Sequence, residues 1–200
     1  MDRQSMLSES SLPVALDVHS FRLTDEQFQQ LCQDNEDLRL ELSADGELII
    51  MAPTGGTTGV RNAAIILQVT GWAIKDGTGV SFDSSTMFCL PNGAKRSPDA
   101  AWVRRERWEA LSREEQESFV PLCPDFVLEL RSATDSLSML RQKMDEYIAS
   151  GAQLGLLLDP KPKQVHVYRA NQPVDCLDDP QTVSGDPVLP GFVLELKDIW

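Results

Sequence analysis

A strand, a helix and a second strand follow one another in the middle of the chain, and this order limits the possible folds most. Residues 125–131, DFVLELR, are an apolar run that contains an acid, and residues 153–159 form a second apolar run. Between them, residues 136–150 repeat apolar side chains at helical spacing and end at Gly151. Such a unit places its two strands parallel in one sheet, joined by a right-handed crossover. The sequence therefore predicts an α/β fold with a mixed β-sheet flanked by helices.

The segments around this unit supply the other elements. The pattern predicts, in chain order, a helix over 24–35, a hairpin over 38–53 that turns at Asp45-Gly46, a helix over 57–77, a second hairpin over 79–103, a helical excursion over 104–119 and a strand over 164–169. The helix over 57–77 is apolar nearly all round, which predicts a position deep in the core with Thr57 and Thr58 as natural caps. We expect residues 1–22 to be an N-terminal arm with a short pairing segment and residues 23–200 to be a single domain.

The charge of the chain is unevenly distributed. Residues 1–50 hold 3 basic and 11 acidic side chains and residues 171–200 hold 1 and 6, whereas residues 51–170 hold 14 of each. Nucleic-acid affinity comes largely from basic side chains, so the net charge of −13 disfavours such a partner unless the acidic ends are hidden. Subunit contacts would hide them, and we expect a homodimer or a higher homo-oligomer.

The chain has the composition of a cytoplasmic protein. No window approaches 18 consecutive apolar residues, so a spanning helix is excluded, and the first 20 residues lack the apolar region of a signal peptide. The four cysteines are widely spaced and the chain has only two histidines as possible co-ligands. This pattern predicts reduced thiols and disfavours a zinc site.

Glu129 is the acid inside the apolar strand 125–131. Side chains alternate along a strand, so Glu129 shares one face with Asp125, Val127 and Arg131. A lone buried carboxylate is costly, and Glu129 must therefore be paired, protonated, bound to a metal or placed at a solvent-accessible strand end. An ion pair of Glu129 with Arg131 or with a lysine is the plain structural interpretation.

Asp99 is a second acid at the start of a strand. It follows Pro98 in RSPDAAWV, and the small Ala101 on its face leaves room beside the carboxylate. Taken alone, Asp99 can equally be a turn cap after the proline. Two carboxylates that converge from adjacent strands can hold a hard cation such as Mg²⁺, which keeps several waters and needs one or two carboxylates. Asp99 and Glu129 are therefore a candidate magnesium site.

Lys143 is the third candidate. It lies one helical step outside the apolar stripe of the helix over 136–150, beside Tyr147. Its ammonium group can reach water, or it can lean toward the end of the preceding strand, where Glu129 lies. A cation near a metal-bound water or a scissile phosphate stabilises developing negative charge.

Two further stretches are candidates for phosphate contacts. PTGGTTG, residues 53–59, can present backbone N–H groups at the start of a helix, although a plain loop is the simpler interpretation. A group of basic side chains flanks Asp99 and either follows a phosphate backbone or forms a solvated charged surface. This basic cluster consists of Lys95, Arg96, Arg104, Arg105, Arg107 and Arg113.

Four blocks in this order resemble the Uma-two family of endonucleases, which belongs to the restriction-endonuclease-like PD-(D/E)XK superfamily. The blocks are RSPDAAWV, PDFVLELRSATDS, KMDEYIASGAQLGLLLDP and LPGFVLEL, and MAPTGGTTGVRNAAI also fits. The resemblance extends from about Leu23 to Trp200. It implies a restriction-endonuclease-like core, a Mg²⁺-dependent or Mn²⁺-dependent activity, and DNA as the substrate.

The resemblance also implies roles for individual residues. Asp99 and Glu129 would be metal ligands, with the backbone carbonyl of Leu130 as a third. Arg131 stands where the superfamily pattern has a lysine, and arginine stabilises phosphate charge but cannot act as a general base. Relatives often supply the lysine from the next helix, which implicates Lys143.

A further departure bears on activity: Thr58 stands where many relatives have a histidine ahead of the core helix. The alternative to an endonuclease is a catalytically weak or inactive protein that keeps the nuclease fold and acts as a binding or interaction module. A small-molecule phosphoesterase that uses the same site is a third interpretation.

Overall fold

Two large β-sheets and five helices make up residues 14–51 and 53–200, which a computed structural model of the chain describes. The strands are β1 (Val14–Asp17), β2 (Arg39–Leu42), β3 (Glu47–Met51), β4 (Gly79–Asp83), β5 (Phe88–Cys89), β6 (Lys95–Arg96), β7 (Ala100–Arg104), β8 (Phe126–Leu130), β9 (Leu154–Asp159), β10 (Gln164–Arg169), β11 (Asp175–Asp178), β12 (Thr182–Ser184) and β13 (Val193–Glu195). The helices are α1 (Asp25–Asp34), α2 (Gly56–Asp76), α3 (Arg105–Glu109), α4 (Arg113–Glu117) and α5 (Leu137–Ala149), with a short 3₁₀ turn at His19–Phe21.

The larger sheet has six strands in the order β11-β10-β9-β8-β7-β4. Its β8 and β9 are parallel and its other neighbouring pairs are antiparallel, so the sheet is mixed. Helix α5 connects β8 to β9, as the strand–helix–strand pattern predicts. The smaller sheet has the order β1-β3-β2-β6-β5, and β12 pairs with β13 separately. The predicted α/β class is confirmed.

Strand β8 lies in the centre of the larger sheet and is covered on both faces. Phe126, Leu128 and Leu130 pack into a cluster that includes residues of α2 and of the C-terminal segment. Val127, on the other face, packs against Met144 and its neighbours on α5. Both faces of a strand covered in this way must be apolar, and this explains why Glu129 is an exception that demands a partner.

Local signals predict the N-terminal elements well. Thr24 caps α1, since its hydroxyl accepts from the Gln27 N–H and the Gln27 side chain accepts from the Thr24 N–H. The hairpin of β2 and β3 turns at Asp45-Gly46, where Gly46 has a φ of 82°. The predicted pairing segment is β1, which is antiparallel to β3. Residues 1–13 of the predicted arm lie outside the described residues.

The prediction that α2 lies deep in the core is wrong. Ile65 and Val69 are buried, but Val60, Leu67 and Ile74 are 69%, 74% and 77% exposed. The helix contacts β4, β7 and β13 on one side only, so its other side has no covering element among the described residues. An apolar sequence shows that a helix has an apolar surface, but it does not show which side a sheet will cover.

The predicted caps of α2 are also wrong. Gly55 is the N-cap and the helix begins at Gly56, so Thr57 and Thr58 lie inside the first turn. The predicted C-terminal signal is confirmed, since Gly77 ends the helix with a φ of 74°.

Residues 79–103 do not form one hairpin as predicted. Strands β4 and β7 pair in the larger sheet, whereas β5 and β6 pair around the turn at residues 91–93 in the smaller sheet. Pro98 lies between β6 and β7 and has no N–H to donate, so the ladder breaks there and the chain passes from one sheet to the other. The predicted helical excursion over 104–119 is confirmed as α3 and α4. Among the described residues, no helix is long and apolar enough to cross a membrane.

Gly79 is expected to be required at the start of β4. A Cβ atom there would overlap the Val103 carbonyl oxygen and the Trp102 ring, and backbone atoms cannot move aside easily. We expect Gly79→Ala to lower the free energy of unfolding by about 1–3 kcal/mol, as overpacking does. Thermal denaturation should show a Tm lower by roughly 2–10 °C.

The control is Gly71→Ala on α2, where a Cβ atom would meet no atom within 4 Å. Its stability should be unchanged or higher by up to about 1 kcal/mol, because alanine is the better helix former. A Gly79→Ala protein as stable as the Gly71→Ala protein would contradict the packing argument.

Candidate active site

The register of β7 and β8 places Asp99 opposite Glu129. Ala100 pairs with Leu128 in this antiparallel ladder. The residue before Ala100 therefore lies opposite the residue after Leu128, which brings position 99 across from position 129. Instead of continuing the main-chain ladder, Asp99 accepts a hydrogen bond from the Leu130 N–H through Oδ2, at 2.8 Å. The two predicted carboxylates therefore lie on adjacent strands at the same end of the sheet.

The carbonyl group of Leu130 points toward the side of β8 on which Asp99 lies. The N–H and C=O of one strand residue point toward the same neighbouring strand, and the Leu130 N–H points at Asp99. Asn62 of α2 also donates to Asp99, from Nδ2 to Oδ1 at 3.2 Å. Burial raises the pKa of Asp99 above its ordinary value, and the hydrogen bond from Leu130 opposes this effect.

Glu129 is 4% exposed and is held through one oxygen. Its Oε1 lies 2.8 Å from Lys143 Nζ and accepts a hydrogen bond from the Tyr147 hydroxyl at 3.1 Å. No described residue donates to Oε2, so this second oxygen is the one available to a ligand. Burial raises the pKa of Glu129 to about 7; Lys143 opposes this shift, and the negative charge of Asp99 adds to it.

Lys143 does not extend to water. Its side chain is 8% exposed, and its Nζ lies 2.8 Å from Glu41 Oε1 as well as 2.8 Å from Glu129 Oε1. Burial alone would lower the pKa of Lys143, but the two carboxylates outweigh burial and raise it. The helix-borne lysine therefore reaches the end of β8 as a charged ammonium group.

Glu41, on β2, is a member of this cluster that sequence reasoning missed. It lies between the buried Leu40 and Leu42, and in an alternating strand an acid at that position suggests a solvated face. The structure instead buries Glu41 and pairs it with Arg96 Nη1 at 3.2 Å and with the Ser97 N–H at 3.0 Å. Burial would raise the pKa of Glu41, yet the charges of Lys143 and Arg96 outweigh it and lower the pKa.

The buried cluster has more acids than bases. Arg96 contacts Glu146 as well as Glu41, and Lys143 contacts Glu41 and Glu129. With Asp99 included, four carboxylates face two cations, which leaves two negative charges when all are ionised. An excess of this size matches one divalent cation.

The donor set fits a hard metal ion. No group of three or more histidine, cysteine, aspartate or glutamate side chains is placed to hold a metal within residues 14–51 and 53–200. Two carboxylates and one carbonyl oxygen are nevertheless enough for Mg²⁺, which retains several waters. Asp99, Glu129 and Leu130 are the residues that could provide these oxygens.

Arg131 is directed away from Glu129. Its Nη1 lies 2.7 Å from Asp159 Oδ2, and its Nε donates to the Asp135 carbonyl oxygen at 3.1 Å. Of the two ion pairs that the plain interpretation of Glu129 allowed, the structure contains the one with a lysine. Arg131 nevertheless lines the cleft next to Glu129 that is described below.

The cluster opens into a cleft of about 680 Å³. Its walls include the predicted site residues and the glycine-rich stretch over 53–58, and α2 begins within this stretch. Thr58 lies in this wall. The cationic side chains that line the cleft are Arg39, Arg61, Arg131, Lys143 and Lys161.

The predicted basic cluster around Asp99 is placed elsewhere. None of its six members lines the cleft, and each contacts a carboxylate. The pairs are Lys95 with Asp25, Arg96 with Glu41 and Glu146, Arg104 and Arg107 with Asp125, Arg105 with Glu109, and Arg113 with Glu117. Proximity in sequence to Asp99 did not indicate these partners, most of which come from other elements.

Comparison with known proteins agrees with this geometry. The family model Uma2, described as "Putative restriction endonuclease", matches residues 25–197. The structure is similar to that of a putative nuclease belonging to DUF820 from Anabaena variabilis ATCC 29413, with a TM-score of 0.75 and 18% sequence identity over 88% of this chain and 97% of that chain. No curated protein matches the chain. The family resemblance and the fold class inferred from the sequence are confirmed.

The Arg131–Asp159 pair is expected to stabilise the fold. Arg131→Gln leaves the buried Asp159 carboxylate without its partner, and we expect the free energy of unfolding to fall by about 1–3 kcal/mol. Urea unfolding of the wild type and the variant measures this change. Asp159→Asn in the Arg131→Gln background should restore part of the stability, because it removes the unpaired charge. If the losses in the free energy of unfolding of Arg131→Gln and Asp159→Asn add up to the loss of the double variant, the pairing is contradicted.

Proposed function

This chain belongs to the Uma2 family, and we propose that it is a metal-dependent endonuclease that hydrolyses phosphodiester bonds of DNA. The observation that carries the proposal is the placement of Asp99 and Glu129 opposite each other on adjacent strands, with a buried ammonium group on Glu129. Two carboxylates and a carbonyl oxygen can hold a metal ion for hydrolysis of a phosphodiester, and a nearby cation can stabilise the negative charge that develops.

In this proposal Asp99, Glu129 and the Leu130 carbonyl hold Mg²⁺ or Mn²⁺. The bound ion would activate a water molecule and neutralise charge on the phosphate. Lys143 stabilises the negative charge that develops on the phosphoryl oxygens, since its ammonium group lies at the same carboxylate. Arg131 has a different part: it stays charged at the cleft wall and binds phosphate, but it does not transfer a proton.

The rest of the cleft favours an anionic substrate. Arg39, Arg61 and Lys161 lie in its walls, and α2 begins there with N–H groups that suit a phosphate. The chain as a whole carries a net charge of −13, so attraction is confined to the cleft. We therefore propose that DNA binds with moderate affinity and that added salt weakens this binding.

Cleavage of DNA with a panel of variants tests the proposal. Asp99→Asn and Glu129→Gln should each lower kcat at least about 100-fold in Mg²⁺ or Mn²⁺, and Lys143→Met should do the same, since each removes a group at the reacting phosphate. Arg131→Gln should cost about tenfold or less, because it lies outside this group. Single-stranded, duplex and nicked substrates cover the DNA forms.

Arg113→Gln is the matched control, because Arg113 is exposed on α4 and, within the described part of the chain, its one ion pair is with Glu117. Its rate should equal that of the wild type. Cleavage that persists in Asp99→Asn would identify a contaminating nuclease, and absence of cleavage by the wild type on all substrates would refute the enzyme.

Metal binding separates the enzyme from the alternative of an inactive binding module. We expect calorimetric titration with Mn²⁺ to show one site, weakened at least about tenfold by Asp99→Asn and unchanged by Arg131→Gln. A protein that binds DNA without metal, and binds it equally well as Asp99→Asn, would instead be the binding module. Metal-dependent hydrolysis of small phosphodiesters without DNA cleavage would favour the small-molecule phosphoesterase.

A further inference from the structure

Glu41 is the second carboxylate on Lys143, and the proposed metal site does not use it. It lies in the smaller sheet, on β2, whereas Glu129 lies in the larger sheet, on β8. Lys143 lines the main cleft and also a second cavity of about 390 Å³, and Glu41 lines only the second cavity. Lys143 is thus shared by the two cavities, together with Met51, Asp135 and Leu140, whereas Glu129 lines only the main cleft.

Three donors hold Glu41 in place. Lys143 Nζ and the Ser97 N–H both contact Oε1, at 2.8 Å and 3.0 Å, and Arg96 Nη1 contacts Oε2 at 3.2 Å. The pairing of β2 with β6 accounts for this geometry, because Leu42 opposite Lys95 brings position 41 opposite Arg96. Glu146 on α5 contacts Arg96 in turn. The carboxylate of Glu41 is therefore fixed before any ligand binds.

A metal ion on Glu129 would weaken the contact of Lys143 with that carboxylate, because the cation would repel an ammonium group that lies 2.8 Å from Oε1. Glu41 is not one of the proposed metal ligands, so its charge would remain available to Lys143. A buried ammonium group without a counter-charge is costly, so without Glu41 the Lys143 side chain would leave the site.

We propose that Glu41 is a positioning residue that holds the charged Lys143 at the end of β8 while a metal ion occupies the site. This inference rests on the proposed function for its consequence in catalysis. Glu41 does not touch the substrate, and it acts only through Lys143.

A double-mutant cycle on cleavage tests this role. Glu41→Gln keeps the volume of the side chain and one oxygen for the Ser97 N–H, but it removes the charge. We expect it to lower kcat about 10- to 100-fold with KM changed less than about twofold, as loss of a supporting contact does. In the Lys143→Met background the same substitution should have no further effect on kcat. Glu41→Asp, which keeps the charge, should recover part of the rate.

Asp125→Asn is the matched control. Asp125 is a buried carboxylate that is also paired with arginine, and it adjoins the other end of β8, about 13 Å from Glu129 at 3.3 Å per residue. Its effect on kcat should be the same factor with or without Lys143. If Glu41→Gln also lowers kcat equally in both backgrounds, Glu41 merely stabilises the fold and the proposal is overturned.

A measurement without turnover makes the test independent of the proposed function. The ammonium protons of a buried, paired lysine exchange slowly, so ¹⁵N-lysine NMR can detect Lys143 among the six lysines, with Lys143→Met giving the assignment. In the wild type we expect the signal to persist when Mg²⁺ is added. In Glu41→Gln we expect Mg²⁺ to abolish the signal or shift it to the position of a free lysine.

The two proposals can therefore fail separately. A wild type that loses the Lys143 signal in Mg²⁺, or a Glu41→Gln protein that responds to Mg²⁺ as the wild type does, overturns the positioning role. If Mg²⁺ removes the Lys143 signal in Glu41→Gln but not in the wild type, and the wild type cleaves no DNA, the endonuclease is refuted and the positioning of Lys143 by Glu41 is supported.

Discussion

The buried ammonium group of Lys143, shared by Glu41 and Glu129, is the contact on which the arrangement of the molecule depends. Glu41 belongs to the smaller sheet, Glu129 to the larger sheet and Lys143 to the helix α5. A buried charge without a partner is costly, and here each of the two carboxylates is paired with Lys143. The ion pairs connect α5 with one strand of each sheet.

The same cluster bears on how an acidic chain could bind the metal ion and the phosphate of the proposed function. Its four carboxylates outnumber Lys143 and Arg96, and burial leaves that excess poorly screened by water, so a divalent cation is the group that would neutralise it best. A polyanion would be repelled by the carboxylates themselves. Cationic side chains also lie in the walls of the cleft, among them Arg39, Arg61 and Lys161. In the proposed function, the negative centre would attract the metal ion and the cationic side chains would attract the substrate phosphate.

What the sequence could predict follows from how local the signal is. The helix α1 and the first hairpin are specified by Thr24 with Gln27 and by Asp45-Gly46, within a few residues of chain. Glu129 could be found because it interrupts an apolar run, Asp99 because it opens one after Pro98, and Lys143 because it lies beside the apolar stripe of its helix and the family resemblance implicated it. Glu41 breaks no pattern, since an acid in an alternating strand suggests a solvated face, and only the packing of α5 from about a hundred residues away buries it. The exposed side of α2 and the split of residues 79–103 between two sheets were mispredicted for the same reason: each depends on distant partners.

The replacement of the expected lysine by Arg131 is understandable from the same geometry. A side chain at position 131 lies beyond the end of β8, where the neighbouring strand β9 ends in the buried Asp159, and the arginine fork pairs with that carboxylate. A lysine at position 131 could pair with Asp159, as the arginine does, or it could turn toward Glu129. In the second case its partner would be a proposed metal ligand. Lys143 approaches from the helix and meets a second carboxylate, Glu41, that does not line the cleft. The helix lysine therefore keeps one carboxylate partner besides Glu129. A lysine carried by the helix would therefore stay beside a metal-binding carboxylate more stably than a lysine carried by the strand.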